Sequence, residues 1–413
     1  MSGAQDGKDA KDAKAEQISG KLIAADPLSS EPPIQVPVQQ RDTEWELPNG
    51  FAWVYYGEGT DSVQKPVIMA DGFNLGRSDL QWLTQGLDGG GYKFLSALRK
   101  QGRTVILVGF DERTAPIQKN AETVIAAVMR TLGERVGDDR LTVGGFSMGG
   151  LVTRYALAKL ETQRIDHQTA LYFSYDTPHR GAVIPIGLQA FAHFIPQDNA
   201  FAEQMNSPAA RQMLWRHYDS ETGRGETDPL RTELLDDLDR MGRWPQIPIK
   251  IAVANGTGDG TGLDVPPGEM ALKSTGLIAF PGTTFYTQAA GENATVAQLK
   301  RLLPLASKTV TTSGYPELDG APGGTLASYK IVAEELVAKG GKVDLRHEAI
   351  CFVPTVSAVA IRDIDKQEDL YAKVAAIDLE ESELDEIFWS STTTPHTAIT
   401  QELCEWIIKR LPN

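Results

Sequence analysis

The sequence predicts an α/β fold whose central sheet is mostly parallel and flanked by helices. Three observations predict it. Short apolar runs without alternation recur at residues 66–73, 104–110, 141–147, 169–176 and 249–256, the pattern of strands buried on both faces. Helix-like stretches at 78–101, 120–135 and 148–161 separate the earlier runs, and such alternation implies parallel crossovers. Finally, a Gly-x-Ser-x-Gly segment, Gly145 to Gly149, stands where one strand run ends and a helical one begins.

In chain order, residues 1–40 combine the charges of Asp9, Lys11, Asp12 and Lys14 with Pro27, Pro32, Pro33 and Pro37. That composition is too polar to cover a core and predicts a disordered or extended arm. Residues 41–413 are expected to form one domain. It opens with a hairpin, 43–47 and 51–56, around Pro48-Asn49-Gly50. Residues 182–247 hold no strand pattern but carry Phe191, Phe194, Phe201, Met205, Met213, Leu214, Trp215 and Trp244, and predict a helical insertion over the sheet. A second insertion, about 290–345, is expected to contain helices at 295–304 and 325–339 around a Gly/Pro-rich passage at 314–324. The apolar run 349–361 follows it. The acidic run Asp378 to Glu386 reads as the solvated face of a helix.

Composition limits the partners. Lys plus Arg is 40 and Asp plus Glu is 55, a formal charge of −15 in 413 residues, which repels phosphate backbones. Nucleic acid is excluded as an expected partner, and anionic membranes are disfavoured. The two cysteines, Cys351 and Cys404, make neither a disulfide framework nor a four-thiolate zinc site. No apolar window reaches the roughly 18 residues of a membrane span, and the first twenty residues lack the apolar core of a secretory signal. The expected location is cytoplasmic, and a secreted form that has lost its leader would look the same. The sequence says nothing of oligomeric state.

The chemistry lies in Gly145-Phe146-Ser147-Met148-Gly149. A serine on a sharp strand-to-helix turn exposes its hydroxyl, and glycines two residues to either side leave room for neighbouring backbone. The apolar stripe Leu151, Val152, Tyr155, Ala158 supplies the helix that this motif requires. The same reading finds two misleading patterns downstream. Gly256-x-Gly258-x-Gly260 lacks the helix of a dinucleotide site and runs into Val265-Pro266-Pro267. Asp259 and Asp264 among glycines supply too few oxygen ligands for calcium. No cofactor and no metal are expected.

Residues 144–158, GGFSMGGLVTRYALA, together with DTPHRGA at 176–182, resemble the lipase and esterase branch of the α/β-hydrolase superfamily. The resemblance covers roughly residues 43–185 plus scattered positions to the carboxyl end, and implies an α/β-hydrolase fold with the helical insertion as lid. It also implies a triad in the chain order serine, acid, histidine. Ser147 is then the nucleophile. Of the six histidines, His396 stands on the last loop before a terminal helix marked by Ile399, Leu403, Trp406, Ile407 and Leu411, where the superfamily leads one to expect the base. His179 fits a structural hydrogen bond at a strand end; His193 and His217 fall in the insertion, His167 precedes a strand, and His347 stands at the wrong edge of one. Family order puts the acid on the loop after 249–255, at Asp259, with Asp264 and then Asp176 as alternatives. The oxyanion donors are the backbone N–H groups of Met148 and Phe73. Where many lipases carry His-Gly, this chain has Asp71-Gly72, and an ionised Asp71 near an oxyanion is unfavourable unless paired.

The function implied is hydrolysis of carboxylic esters with a medium or large acyl or alcohol group, through an acyl-enzyme; the charge favours a soluble esterase over an interfacial lipase. Thioester hydrolysis or acyl transfer on the same triad, amide hydrolysis, and an inactive hydrolase fold that serves as a binding protein are the competing readings.

Overall fold

The computed structural model of the protein describes residues 37, 39–196, 200–277 and 280–413; of the expected arm, residues 1–36 and 38 lie outside the described residues. The central sheet has eight strands: β1 Thr43–Leu47, β2 Gly50–Tyr55, β3 Val67–Ala70, β4 Val105–Phe110, β5 Leu141–Phe146, β6 Thr169–Tyr175, β7 Ile249–Ala254 and β8 Glu386–Trp389. Their order is β1-β2-β4-β3-β5-β6-β7-β8. Strands β1, β2 and β4 pair antiparallel, and every other pairing is parallel.

Each expected central strand forms, for the reason its sequence suggests. Along β3 and β4, Val67, Met69, Val105 and Leu107 enter the core on one face, while Ile68, Ala70, Ile106 and Val108 enter the core on the other. Period-two projection into two apolar layers leaves no place for a polar residue. The helices Leu80–Gly89, Phe94–Lys100 and Gln401–Ile408 cover the first face, and Ile117–Glu134 and Met148–Thr162 the second. The stretch expected as one helix over 78–101 is two, because Gly89-Gly90-Gly91 interrupts it and Gly90 is the cap of the first. The β1–β2 turn is Pro48-Asn49, with Asn49 at φ 57°, a conformation that asparagine tolerates.

Three expectations are corrected. The acidic run is no helix face: Asp378 caps the short 3-10 turn Leu379–Glu381, and Asp385 accepts from the Lys250 N–H (2.6 Å) and Nζ (2.8 Å), leading the chain into β8 beside β7. The first insertion holds the helices Ile186–Phe194, Ala200–Met205, Pro208–Met213 and Pro229–Arg240, but also a small hairpin, His217–Asp219 with Arg224–Glu226.

The third correction concerns the second insertion, which begins near residue 270. It is built on a five-stranded sheet in the order 305–312, 294–302, 284–286, 270–274, 343–345. Residues 295–304 are thus strand and turn. Ala, Gln, Leu, Lys and Arg favour a helix by propensity, yet the segment alternates, with Leu299 buried between exposed Gln298 and Lys300. Pairing with Leu305–Thr312 decides the outcome. The expected helix at 325–339 does form, as Ser328–Ala338. The run at 349–361 gives the strand Ile350–Pro354, which pairs antiparallel with Gly323–Leu326 outside the central sheet. The two insertions pack on each other: the Phe191 ring meets Phe280 and Phe285 edge-on at 4.9 and 5.4 Å.

Candidate active site

The functional groups gather at the carboxyl ends of β3, β5, β6 and β7, the edge where open α/β sheets hold ligands. Ser147 follows β5 at φ 51°, ψ −121°, a conformation that a non-glycine residue holds only when its surroundings impose it. The glycines show what imposes it. A Cβ on Gly145 would lie 2.4 Å from the Gly149 carbonyl carbon, one on Gly149 2.2 Å from Ala70 O, and one on Gly150 2.0 Å from Thr177 Oγ1. Only bare backbone lets the helix Met148–Thr162 start this close to the ends of β3 and β6.

His396 stands across the site. Its Nδ1 lies 2.6 Å from Asp176 Oδ2 and its Nε2 2.8 Å from Ser147 Oγ. A carboxylate facing Nδ1 fixes the proton there, which leaves Nε2 to accept from the serine hydroxyl. The ring packs edge-on against Phe352 at 4.8 Å, carried in by the extra-sheet strand. The loop is tied down by His396 N–H to Thr325 O (2.9 Å) and by Tyr175 Oη–H to Ala398 O (2.7 Å). Ser147 is 7% exposed, and His396 1%, so both side chains sit beneath the surface.

The carboxylate beside His396 belongs to Asp176, the last of the three aspartates considered from sequence, and not to Asp259. Phe146 and Tyr175 are register partners, so Ser147 and Asp176 leave adjacent strand ends side by side. Asp176, at φ 47° and fully buried, accepts the Asn255 N–H at Oδ1 (2.9 Å) and His396 at Oδ2. A Cβ on Gly324 would come 2.1 Å from Oδ2, so a glycine is required there. Asp259 is exposed, and its Oδ1 accepts from the Thr261 N–H (2.8 Å) and Thr257 Oγ1–H (3.1 Å) of its own loop; the Thr261 bond leads in lowering its pKa. Asp264 is exposed as well.

Asn255, absent from the sequence reading, follows β7. Besides its backbone bond to Asp176, its Nδ2 donates to Thr394 Oγ1 (2.8 Å) and Ala398 O (3.0 Å), holding both sides of the histidine loop. The available signal was its place: the first residue past a central strand, on the edge where the site assembles.

At the oxyanion loop, Met148 begins its helix, where an N–H has no intrahelical acceptor. Among the described residues nothing accepts from the Met148 or Phe73 N–H. Asp71 is buried and paired: its Oδ1 accepts the Gly72 N–H (2.8 Å), and Arg113 Nη1 lies 3.6 Å from Oδ2. Burial raises its pKa and Arg113 opposes the rise. Arg113 also donates to Leu75 O at 2.8 Å, fixing the loop. The carboxylate that the sequence leaves in doubt thus has Arg113 beside it, but among the described residues Oδ2 has no hydrogen-bond partner, and burial still disfavours its charged form.

Buried His179 faces Ser174 Oγ (2.9 Å) through Nε2. Burial, with Arg154 and Arg180 nearby, holds its pKa well below the ordinary value, so it is neutral and structural. His167 meets Glu161, His217 the Met205 carbonyl, and His347 lies near Glu269. Among the described residues no group of three or more His, Cys, Asp or Glu is arranged to hold a metal ion, and no helix is long and apolar enough to cross a membrane.

No protein-family model matches the sequence, and no curated protein matches it. Solved structures do. A mature lipase of Bacillus licheniformis is 13% identical over 50% of this chain and 72% of its own, at a TM-score of 0.31. A thermostable carboxylesterase cloned from a metagenomic library is 17% identical over 59% of this chain and 85% of its own, at 0.32. An esterase of Pyrobaculum calidifontis is 13% identical over 59% and 73%, at 0.33. By its own sheet order, with the strained serine turn after the fifth strand, the chain has the α/β-hydrolase fold.

Proposed function

We propose that the protein is a serine hydrolase of carboxylic esters, with Ser147 as nucleophile, His396 as general base and acid, and Asp176 as the triad carboxylate. The observation that carries the reading is the continuous chain Ser147 Oγ to His396 Nε2 (2.8 Å), Nδ1 to Asp176 Oδ2 (2.6 Å), on a strained serine turn. In this reading His396 takes the hydroxyl proton as Oγ attacks the ester carbonyl, and Asp176 stabilises the imidazolium. The tetrahedral oxyanion receives the N–H groups of Met148, at the positive end of its helix, and Phe73. His396 then gives the proton to the leaving alcohol, and water releases the acyl group by the same steps reversed. The insertion 182–247, which the chain enters straight from Asp176, serves as a cap over the site; the low exposure of Ser147 supports that role.

Labelling with a fluorophosphonate probe, and turnover of an ester panel of increasing chain length, test the reading. Wild type is expected to label. Ser147→Ala loses labelling, and its kcat falls about a millionfold. Undiminished turnover in Ser147→Ala would overturn the mechanism, and faster turnover of a matched thioester or amide would move the substrate class.

A further inference from the structure

The second sheet carries a feature that the hydrolase chemistry does not use. At the turn joining strands 294–302 and 305–312, Leu302, Leu303 and Leu305 are 55, 87 and 83% exposed. The loop after strand 270–274 adds Leu277, 83% exposed. This loop is tied beside the turn by Thr283 Oγ1–H to Lys300 O (3.0 Å) and Lys300 N–H to Thr283 Oγ1 (2.8 Å), so the four leucines share one end of the sheet. A hairpin turn needs polar or conformationally special residues and has no use for leucine. Clustered apolar side chains in water mark an interaction surface.

The charge around them is also unlike the rest of the chain. Between Met270 and Thr312 the basic residues are Lys273, Lys300, Arg301 and Lys308, and the acidic one is Glu292. Glu292 precedes strand 294–302, at the end of the sheet away from the turn. Lys273 and Lys300 are exposed. Strand 343–345 adds Asp344 across from Lys273, and exposed Lys342 stands beside the loop, its carbonyl accepting from the Thr275 and Gly276 N–H groups. In a chain of charge −15, this end is apolar and carries more basic than acidic side chains.

We propose that this end of the second sheet docks onto an anionic lipid surface, with Leu302, Leu303, Leu305 and Leu277 entering the acyl boundary and Lys273 and Lys300 meeting the headgroups. The combination is what interfacial binding requires: apolar insertion plus attraction to anionic lipid. A second copy of the chain fits less well, since a two-fold contact through the turn would oppose lysines of the same patch. The acidic remainder of the surface is repelled by such a membrane, so contact is restricted to this end and orients the molecule. The end also touches the first insertion: Arg301 donates to Phe194 O, with its guanidinium 4.7 Å above the Phe194 ring, at the close of the helix Ile186–Phe194.

Flotation of the full chain with vesicles of phosphatidylcholine alone, and of phosphatidylcholine mixed with phosphatidylglycerol, tests the proposal. Wild type is expected to bind the mixed vesicles at least about tenfold more tightly than the neutral ones at low salt, and to lose that preference as salt rises. Leu303→Asp combined with Leu305→Asp weakens binding about tenfold or more, and Lys273→Glu combined with Lys300→Glu does likewise; thermal unfolding of each reports an intact fold. Failure of wild type to bind anionic vesicles overturns the proposal, as does binding that both variants retain. A dimer in sedimentation that Leu303→Asp abolishes, without vesicle binding, would assign the leucines to self-association instead. The inference stands apart from the ester reading, since Ser147→Ala is expected to bind vesicles as wild type does.

Discussion

Strands β6 and β7 are neighbours, and each leads into a loop that bears an aspartate at the same edge of the sheet, yet the two carboxylates have opposite fates. Asp176 follows β6 directly, is buried, and finds its partners across the chain in Asn255 and His396. Asp259 stands five residues past the end of β7, is exposed, and is satisfied by Thr257 and Thr261 of its own turn. A carboxylate is free to orient a histidine only when its own loop does not already occupy it. At β7 that edge position belongs to Asn255, which grips the acid with its backbone and the histidine loop with its side chain.

Between the two aspartates, the larger effect should come from Asp176→Asn. Without the carboxylate, the Nδ1 tautomer and the imidazolium both lose their support, and kcat is expected to fall about ten-thousandfold while the fold, by circular dichroism, persists. A loss of that size in Asp259→Asn, with Asp176→Asn active, would break the comparison.

Burial alone does not create an Asp176, as another deeply buried aspartate shows. Asp319 Oδ2 accepts the Gln288 N–H (3.1 Å) and Tyr329 Oη–H (3.2 Å), while Oδ1 has no hydrogen-bond partner. Burial pushes its pKa up to about 6. Because the folded chain keeps this proton through a range where the unfolded chain has lost it, stability should fall as pH rises from about 4 to about 6, then level off. The change attributable to Asp319 is about 3 kcal/mol. Denaturant titrations across that window, wild type against Asp319→Asn, should show this component of the slope in wild type alone; equal slopes would mean that Asp319 titrates normally.

The same contrast between satisfied and unsatisfied groups governs what was legible in the sequence. Strands buried on both faces must be apolar throughout, so β3 to β7 stand out as runs, and the serine turn is marked by glycines that backbone contact requires. Strand β8 is four residues of intermediate exposure at the sheet edge, and carries no such run. The second sheet alternates from Ala297 to Lys300, and Ala297, Gln298, Lys300 and Arg301 imitate a helix at 295–304 by propensity. In the candidate site, Ser147 and His396, which the structure sets side by side, were singled out by motif and position. Choosing Asp176 over Asp259 requires the register that sets Phe146 beside Tyr175. One sequence clue pointed the same way: Thr257-Gly258-Asp259-Gly260-Thr261 has the composition of a turn that satisfies its own aspartate.

Two smaller effects sharpen the comparison at β7. Asn255→Ala keeps the backbone N–H that serves Asp176 and the carbonyl that accepts from Thr394 but removes the Nδ2 bonds to Thr394 Oγ1 and Ala398 O, so the His396 loop loses one of its supports and Asp176 does not. The expected result is a fall in kcat of about ten- to thirtyfold, with KM little changed. An equal rise in KM would instead mean that Asn255 shapes substrate binding. Asp259→Asn should be the mildest change of all, within about twofold in kcat/KM, because the amide oxygen can still accept from Thr261 and Thr257 and the side chain is exposed. Steady-state kinetics on the two variants side by side would separate a residue that holds the histidine loop from one that only closes its own turn, although they lie four positions apart on the same strand end.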